Sequence, residues 1–388
     1  MNQILRICFR LPVLFLFFFS LGCKPNQTEK NSGNSKESSW DTIRSLYAGG
    51  FSILQNEEGY QLSVKDPWQG ATGIEYQYKL VKNDSLLHKQ DDIPSFKIPV
   101  KRVICMSTTH VGMLEAIDET VTIKGVSGKK YIYNPELRSR ANRGEIKDVG
   151  YDMGINYELM LSLKPDVIFI YGVAGENGPV INKMHALGLK PVFIAEYLED
   201  SPLGRAEWLK FMSCFYDKLD TATRSFENIS STYQNLAEIT RVISSSPVVI
   251  TGLPWNDTWY ASGGLSFISI LIKDAGATYY WRDRKTRDAF PVDPETVIKN
   301  SDEIDFWINP GSAESLNYIL QVDERLKNVK AFSGKRVFNN NAKLSKNGGN
   351  DYWESGAVNP HLVLKDLIQI FHPGLLGEPE LYYYKKLQ

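Results

Sequence analysis

The sequence predicts an α/β protein with two Rossmann-like lobes joined by one long rigid helix, preceded by a small strand-rich extension. After residue 101, short apolar runs typical of buried parallel strands alternate with helical stretches. Residues 216–242 carry apolar side chains at steps of three and four, a pattern typical of one long amphipathic helix. A weak internal repeat relates the segments on either side of that helix, which favours two lobes of similar design.

The composition is that of a globular protein. The 388 residues include 44 Lys and Arg against 45 Asp and Glu, a formal net charge of -1, and 43% of the residues are hydrophobic. These values exclude a disordered polyelectrolyte and a polytopic membrane protein. A balanced charge also argues against a nucleic-acid binder, which normally carries a basic excess.

The N-terminus has the pattern of a secretory signal. Arg6 and Arg10 flank the start of a short apolar run, and the small residues before Cys23 resemble a bacterial lipobox. Residues 1–22 are therefore predicted to be a lipoprotein signal peptide, with Cys23 as the lipid-modified first residue of the mature chain. Ordinary cleavage near Gly22, with an unmodified Cys23, is the alternative.

The rest of the chain divides into segments that differ in composition and in the pattern of apolar residues. Residues 23–40 are polar and predict a flexible tether, and residues 41–100 alternate in short strands. This extension either packs on the first lobe or forms a separate cap. The two-lobed domain is predicted to comprise lobe 1 (101–200), the linking helix (216–242) and lobe 2 (244–374), followed by a C-terminal tail (375–388). Cys105 and Cys214 are interpreted as small buried apolar residues, with a disulfide as the alternative.

Two matching segments place a glutamate in the first turn of a short helix. Glu158 follows Asn156 and Glu295 follows Asp293, and in each case a buried strand comes next. Asn and Asp are favoured at helix N-caps, and Glu in the first turn suits the helix dipole. On this pattern alone, the glutamates are either helix-end residues or a matched pair of functional groups.

Several motifs together resemble a known family. They are RVICMSTT (102–109), NYEL (156–159) followed by LKPDVI (163–168), HALGLKPV (185–192) and DAG (274–276). The chain resembles the periplasmic binding proteins for iron complexes and vitamin B12, the receptors of ABC importers, over about residues 102–372. Residues 196–208 and 347–356 resemble a lipoprotein branch found in Bacteroidetes-type bacteria.

The resemblance implies a fold, partners and a location. It implies two α/β lobes joined by one helix, and one glutamate per lobe, here Glu158 and Glu295, that docks into an arginine pocket of the permease. The partners would be an ABC permease with its ATPase and a TonB-dependent outer-membrane receptor. The protein would be a monomer, lipid-anchored at the periplasmic face of the inner membrane, with no nucleic-acid partner.

Ligand groups are expected in the loops that follow the strands, because ligands of open α/β sheets bind beyond the carboxyl ends. Aromatic and cationic side chains there suit a large, flat or anionic metal complex. The candidates are His110, Tyr131, Tyr171, Tyr197, Arg205, Trp255, Trp259, Arg287 and Trp353. Any single aromatic residue beside a strand could instead belong to the core.

A ferric siderophore is the first expectation for the ligand, and haem and cobalamin are the alternatives. Haem would want an axial ligand, for which His110 or Tyr131 could serve. The five histidines make no metal-binding spacing, so neither a protein metal site nor a covalent cofactor is expected.

An enzyme is the less favoured class. The sequence has no Gly-x-Ser-x-Gly elbow, no His-Glu-x-x-His motif and no Walker loop. A periplasmic hydrolase is the competing hypothesis, and turnover of the ligand rather than its retention would favour it.

Overall fold

The computed structural model describes residues 39–87, 93–151, 154–172 and 177–388. The predictions for the signal peptide, for Cys23 and for all but the end of the tether lie outside these residues. Residues 39–388 form one unit. None of the helices in the described part of the chain is both long and apolar enough to cross a membrane.

The extension is a five-stranded sheet that shares its core with lobe 1. Its strands pair in sequence order, antiparallel except for the last pair. They are β1 (Asp41–Ile43), β2 (Phe51–Asn56), β3 (Gly59–Lys65), β4 (Glu75–Val81) and β5 (Ser95–Lys97). Tyr60, Leu62 and Val64 alternate along β3 and are buried in the same apolar cluster as the lobe 1 strands. The extension therefore packs on lobe 1 and is not a separate cap.

Lobe 1 is a parallel sheet in the order β10-β9-β6-β7-β8. Its strands are β6 (Val103–Cys105), β7 (Ile123–Val126), β8 (Lys147–Asp148), β9 (Val167–Ile170) and β10 (Pro191–Phe193). Its helices are α1 (Thr108–Ala116), α2 (Pro135–Asn142), α3 (Tyr157–Ser162), α4 (Asn177–Ala186) and α5 (Pro202–Cys214). The chain leaves β6 towards β7 on one side while β9 lies on the other, so a crevice opens at the carboxyl ends of β6 and β9.

Lobe 2 repeats this design in the order β14-β11-β16-β17-β18. Its strands are β11 (Val248–Thr251), β14 (Thr278–Tyr279), β16 (Phe306–Ile308), β17 (Val337–Asn339) and β18 (Lys385–Lys386), and β12 (Pro254–Trp255), β13 (Thr258–Ala261) and β15 (Phe290–Val292) form a small second sheet. Its helices are α7 (Phe267–Asp274), α8 (Pro294–Lys299), α9 (Leu316–Val322), α10 (Lys330–Ser333), α11 (Asp351–Glu354) and α12 (Pro360–Phe371).

One helix joins the lobes, as the sequence predicts. α6 (Leu219–Arg241) has 23 residues, a length of about 34 Å at about 1.5 Å per residue. Leu219 and Ala222 near its start are buried in the lobe 1 core, whereas Tyr233 is buried in the lobe 2 core. The predicted fold class, two α/β lobes with parallel sheets and one linking helix, is confirmed.

The end of the chain belongs to the lobe 2 sheet. β18 pairs antiparallel with β17, and Tyr383 and Tyr384 are buried. The carboxylate of Asp366 on α12 accepts hydrogen bonds from the backbone N–H groups of residues 382, 383 and 384. Residues 375–388, which the sequence predicts to be a tail beyond lobe 2, therefore include the edge strand of that lobe.

A buried carboxylate on α5 holds the chain that leads into the extension. Glu207 is completely buried and accepts hydrogen bonds from the backbone N–H groups of Leu46, Tyr47 and Ala48, at 2.8 to 3.1 Å. The Nζ atom of Lys210, itself 4% exposed, lies 2.7 Å from it. A buried charge is stable only when it is paired and hydrogen-bonded, and Glu207 meets both conditions.

Removing this charge is expected to destabilise the protein. In Glu207→Gln the ammonium group of Lys210 stays buried without its counter-charge, so the free energy of unfolding should fall by about 3 kcal/mol. Urea denaturation followed by circular dichroism measures the loss. The control is Glu238→Gln, which removes an exposed ion pair with Arg241 and should cost no more than about 1 kcal/mol. Equal losses in the two variants would contradict the role assigned to Glu207.

Candidate functional site

A cleft of about 1070 Å³ lies between the two lobes. Lobe 1 contributes residues after β10 together with Arg205, and lobe 2 contributes residues after β11, β16 and β17. The extension contributes residues at the end of β3 and in the loop that follows. The cleft therefore lies where the carboxyl ends of the parallel strands meet, the usual place for a ligand in this architecture.

Arg205 is the cation in the inner part of the cleft. α5 begins after Ser201, whose hydroxyl caps the N–H of Gly204, and this places Arg205 in the first turns of the helix. Its guanidinium lies 4.6 Å from the ring centre of Phe267 across the cleft. Its Nε atom is buried and has no hydrogen-bond partner among the described residues. The side chain thus keeps an unused donor, which suits an anionic group.

Glu196 partly compensates this positive charge. Its side chain is 3% exposed, and its Oε2 atom is buried without a hydrogen-bond partner in the described part of the chain. Burial raises the pKa of Glu196, and the nearby Arg205 lowers it. Glu196 and Arg205 do not form an ion pair in the described part of the chain, so Arg205 retains the capacity to bind an anion.

Arg287 links the lobes at the mouth of the cleft. It lies in the loop before β15 of lobe 2, and its Nη1 atom donates to the carbonyl oxygen of Leu198 in lobe 1 at 3.0 Å. It also forms an ion pair with Asp200. Both side chains are exposed, so these contacts are of the kind that contributes about 1 kcal/mol or less.

An aromatic cavity of about 340 Å³ adjoins the cleft at Trp353, whose side chain lines both. Its other aromatic residues are Tyr131, Tyr151 and Tyr171, which follow strands of lobe 1. Among the described residues that line this cavity, none is charged. The site as a whole therefore has a charged region around Arg205 and an uncharged aromatic region around Tyr131.

Six of the nine predicted ligand-binding residues line these two cavities. Tyr197, Arg205, Arg287 and Trp353 line the large one, and Tyr131 and Tyr171 line the smaller one with Trp353. The predictions for His110 and Trp259 need correction, because both side chains are completely buried, whereas Trp255 lies outside both cavities and its role stays a prediction.

His110 and Trp259 are core residues. His110 is completely buried on the inner face of α1, its ring 6.4 Å from that of Phe169, and burial lowers its pKa to about 3. It is therefore not placed to coordinate haem. Trp259 is also completely buried, and its indole N–H donates to the carbonyl of Thr251 at 2.9 Å. Trp255 is 68% exposed on the β12–β13 hairpin.

Other residues in the cleft were missed by the sequence analysis. Asn309 and Asn340 directly follow β16 and β17. They could have been predicted, because ligands of open α/β sheets bind beyond the carboxyl ends of the strands. Tyr260 and Phe267 carry no local signal of their own. Trp68 lies in the extension, outside the family resemblance, and only the three-dimensional structure places it in the cleft.

The two glutamates of the internal repeat are exposed in the first turns of α3 and α8. The side chains of Asn156 and Asp293 cap these helices by accepting from backbone N–H groups. Glu295 forms an ion pair with Arg325, whereas Glu158 has none within the described part of the chain. The caps are thus the Asn and the Asp, and both glutamate carboxylates face solvent.

A second contact between the lobes involves Glu354 on α11. Its buried carboxylate accepts from the backbone N–H groups of Tyr133 at 2.6 Å and Asn134 at 2.9 Å, which precede α2 of lobe 1. The pKa of Glu354 is raised to about 7, mainly because the carboxyl group is buried. The two N–H groups oppose this rise, and the nearby Glu115 and Asp351 add to it.

The fold and the cleft define a two-lobed solute receptor. The sequence model of the family described as periplasmic binding protein matches residues 103–343. The chain belongs to this family, the solute-binding proteins of ABC transporters.

Two relatives and three solved structures are similar to the chain. Two uncharacterized lipoproteins of Methanocaldococcus jannaschii are similar: one is 26% identical, covering 93% of this chain and 90% of the relative, and the other is 24% identical, covering 82% of each. A possible iron-binding periplasmic protein of Staphylococcus epidermidis has a similar fold, with 17% identity and a TM-score of 0.56 over 71% of this chain and 99% of that one. A periplasmic haem-binding protein of Pseudomonas aeruginosa is similar too, with 14% identity and a TM-score of 0.57 over 74% of this chain and 98% of that one. A periplasmic vitamin B12-binding protein of Vibrio cholerae is also similar (15%, 0.51, 70% and 97%).

The pKa of Glu354 predicts a pH-dependent stability. The pKa of Glu354 in the folded protein is above its usual value of 4.5, so folding favours the protonated carboxyl group. The contribution of this group to the free energy of unfolding is therefore lost as the pH rises from about 4.5 to 7. The wild-type protein should lose up to about 3 kcal/mol relative to Glu354→Gln between pH 4.5 and 8. Urea denaturation of both proteins across this pH range measures the difference between their free energies of unfolding. A difference that stays constant with pH would contradict the prediction.

Proposed function

We propose that the protein captures a bulky, anionic metal chelate of the ferric siderophore class and delivers it to the permease of an ABC importer. The observation that carries the proposal is the guanidinium of Arg205, which keeps a buried Nε without a hydrogen-bond partner among the described residues, inside a cleft with aromatic walls. A buried donor without a partner is costly, and an anionic ligand would remove that cost.

The shape and lining of the cleft support a large chelate. Its volume is at the upper end of ligand pockets. Ferric siderophores combine anionic oxygens with flat organic arms, which match the charged region and the aromatic region respectively. Such a chelate carries its own metal ligands, so the proposal requires no metal site in the protein. The described residues contain no cluster of three or more His, Cys, Asp or Glu side chains that could hold a metal ion.

Haem and cobalamin are the alternative cargoes. The similar structures are described as binding iron, haem or vitamin B12. For haem, Tyr131 is the remaining candidate axial ligand, because it is 45% exposed beside the aromatic cavity whereas His110 is buried. A siderophore is preferred because Arg205 keeps a buried donor without a partner among the described residues, whereas Arg287 in the same cleft is paired with Asp200.

The N-terminal sequence pattern supports a location at a membrane. Lipid on Cys23 would anchor the receptor at the periplasmic face of the inner membrane, and the lipoprotein names of the two relatives support a lipid anchor. The chelate would reach it through a TonB-dependent outer-membrane receptor. The receptor would act as a monomer and pass its ligand to the permease without a chemical step.

The bound ligand can be identified by direct measurement of its complex with the protein. Native mass spectrometry of residues 24–388 mixed with ferric siderophores, haemin or cyanocobalamin should give a saturable one-to-one adduct with the ferric siderophores. An adduct with haemin or cyanocobalamin alone would replace the siderophore proposal. Conversion of the ligand during the incubation would favour a periplasmic hydrolase.

The affinity for an anionic chelate should depend on Arg205. Arg205→Gln keeps most of the side-chain volume but removes the charge, and the dissociation constant should rise by about ten- to a hundredfold, as for a lost charge-assisted contact. Isothermal titration calorimetry measures it. Arg224→Gln, an exposed arginine on α6, is the matched control and should bind like the wild type. Unchanged affinity in Arg205→Gln would remove Arg205 from the site.

Transport should depend on the two exposed glutamates through the permease. Glu158→Arg combined with Glu295→Arg replaces attraction by repulsion at two arginine pockets, so uptake of the chelate should be abolished while its affinity stays unchanged. Uptake by cells and calorimetry on the purified protein separate these effects. Glu136→Arg is the matched control, because Glu136 is also exposed in the first turn of a helix that is capped by an asparagine. An equal loss of affinity in the double variant would place Glu158 and Glu295 in the ligand site.

A further inference from the structure

The loop between β3 and β4, residues 66–74, reaches the ligand cleft from the extension. Asp66, Trp68, Gln69 and Gly70 line the cleft together with Lys65 at the end of β3. The family match begins only at residue 103, so this wall lies outside the part of the chain that defines the family. We infer that the extension is the third wall of the ligand site, and that Trp68 and Gln69 contact the bound chelate.

The loop is held in a defined shape. Its two ends are joined by the N–H of Asp66 bonding to the carbonyl of Ile74 at 2.8 Å, and by the N–H of Ile74 bonding to the Asp66 carboxylate at 3.0 Å. The N–H of Ala71 donates to the carbonyl of Trp68 at 3.0 Å. Such a closed turn presents its side chains at fixed positions and reduces the entropy lost when a ligand binds.

The loop packs directly on the ligand-binding edge of lobe 1. The ring of Trp68 lies 5.6 Å from that of Phe193 at the end of β10. Gly172, two residues after β9, allows this approach, since a Cβ atom there would lie 2.4 Å from the carbonyl oxygen of Pro67 and 2.6 Å from the Cβ of Trp68. The hydroxyl of Tyr197 donates to the carbonyl of the same glycine. Trp68 and Tyr197 are thus neighbours on one wall of the cleft.

The loop also reaches across the cleft to lobe 2. The Nε2 atom of Gln69 donates to the carboxylate of Asp288 at 2.6 Å, beside Arg287, which bonds to Leu198 of lobe 1. The extension, lobe 1 and lobe 2 therefore meet at this side of the cleft. The amide of Gln69 binds a carboxylate oxygen here, and the anionic oxygens of a siderophore offer the same kind of acceptor.

The inference rests on the proposed function and adds two groups to its site. The indole of Trp68 supplies a flat apolar surface for an organic arm of the chelate, and Gln69 supplies an amide donor. Contacts from a third wall also limit the size of the ligand, so the extension would contribute to selectivity as well as to affinity.

Calorimetric titration of residues 24–388 with a ferric catecholate, a ferric hydroxamate, haemin and cyanocobalamin tests the inference. Trp68→Ala should weaken binding of the retained chelate at least tenfold, and Gln69→Ala about threefold to tenfold. The controls are Tyr76→Ala, which removes a ring 4.7 Å from Phe193 that does not line the cleft, and Gln77→Ala, an exposed amide on β4. Both controls should stay within twofold of the wild type.

A second measurement needs no ligand. In Gln69→Lys, a carbodiimide should couple the new amine to the carboxylate of Asp288, giving a cross-linked peptide pair in mass spectrometry. Adding Asp288→Asn should abolish this product. If the single variant gives no cross-link, the loop does not lie across the cleft in solution. The inference that the extension forms a third wall of the ligand site would then be overturned.

The outcomes separate the two proposals. If the wild type binds a chelate and Trp68→Ala and Gln69→Ala bind like their controls, the role of the extension is overturned while the receptor function stands. Should Tyr76→Ala weaken binding as much as Trp68→Ala, the effect of Trp68 would be structural, and its contact with the ligand is overturned. If the wild type retains none of the four probes, the chelate proposal and the recognition role of the extension both fail, and the cross-link then decides only where the loop lies.

Discussion

The burial of the Glu207 carboxylate is the constraint on which the arrangement of the site depends. A charge inside the protein requires a counter-charge and several hydrogen bonds, and Glu207 finds them in Lys210 and in the backbone of residues 46–48. The chain that enters the extension is thereby fixed to α5. The same helix carries Arg205, so the wall formed by the extension and the cation of the cleft share one support.

A neighbouring carboxylate reinforces this support. Glu199 accepts from the N–H groups of Gly49 and Gly50 and from the indole N–H of Trp208, a completely buried residue of α5. Two glutamates therefore bind five successive backbone N–H groups. This use of side chains in place of a strand partner explains how residues 46–50 lie against lobe 1 without belonging to its sheet.

The sequence predicts those parts of the structure that depend on local pattern. The spacing of apolar residues predicts α6, and the Asn and Asp caps predict the starts of α3 and α8, because each is decided within a few residues of chain. Burial of individual aromatic residues depends on distant partners instead. Trp259 is in the core because it packs on Trp307, and Trp353 is in the cleft because α11 contacts lobe 1. Their sequence neighbourhoods do not distinguish them. The strand β18 was missed for the same reason, since its partner β17 lies more than forty residues away.

The bonds of Glu354 have a mechanical consequence. Leu203 of α5 is also buried in the lobe 2 core, so the lobes are attached to each other at more places than α6 alone. The contacts that cross the mouth of the cleft, Arg287 with Leu198 and Gln69 with Asp288, are exposed and weak, whereas the bonds of Glu354 and the side chain of Leu203 are buried. Separation of the lobes therefore begins at the mouth, and it stays a small displacement as long as the buried attachments hold.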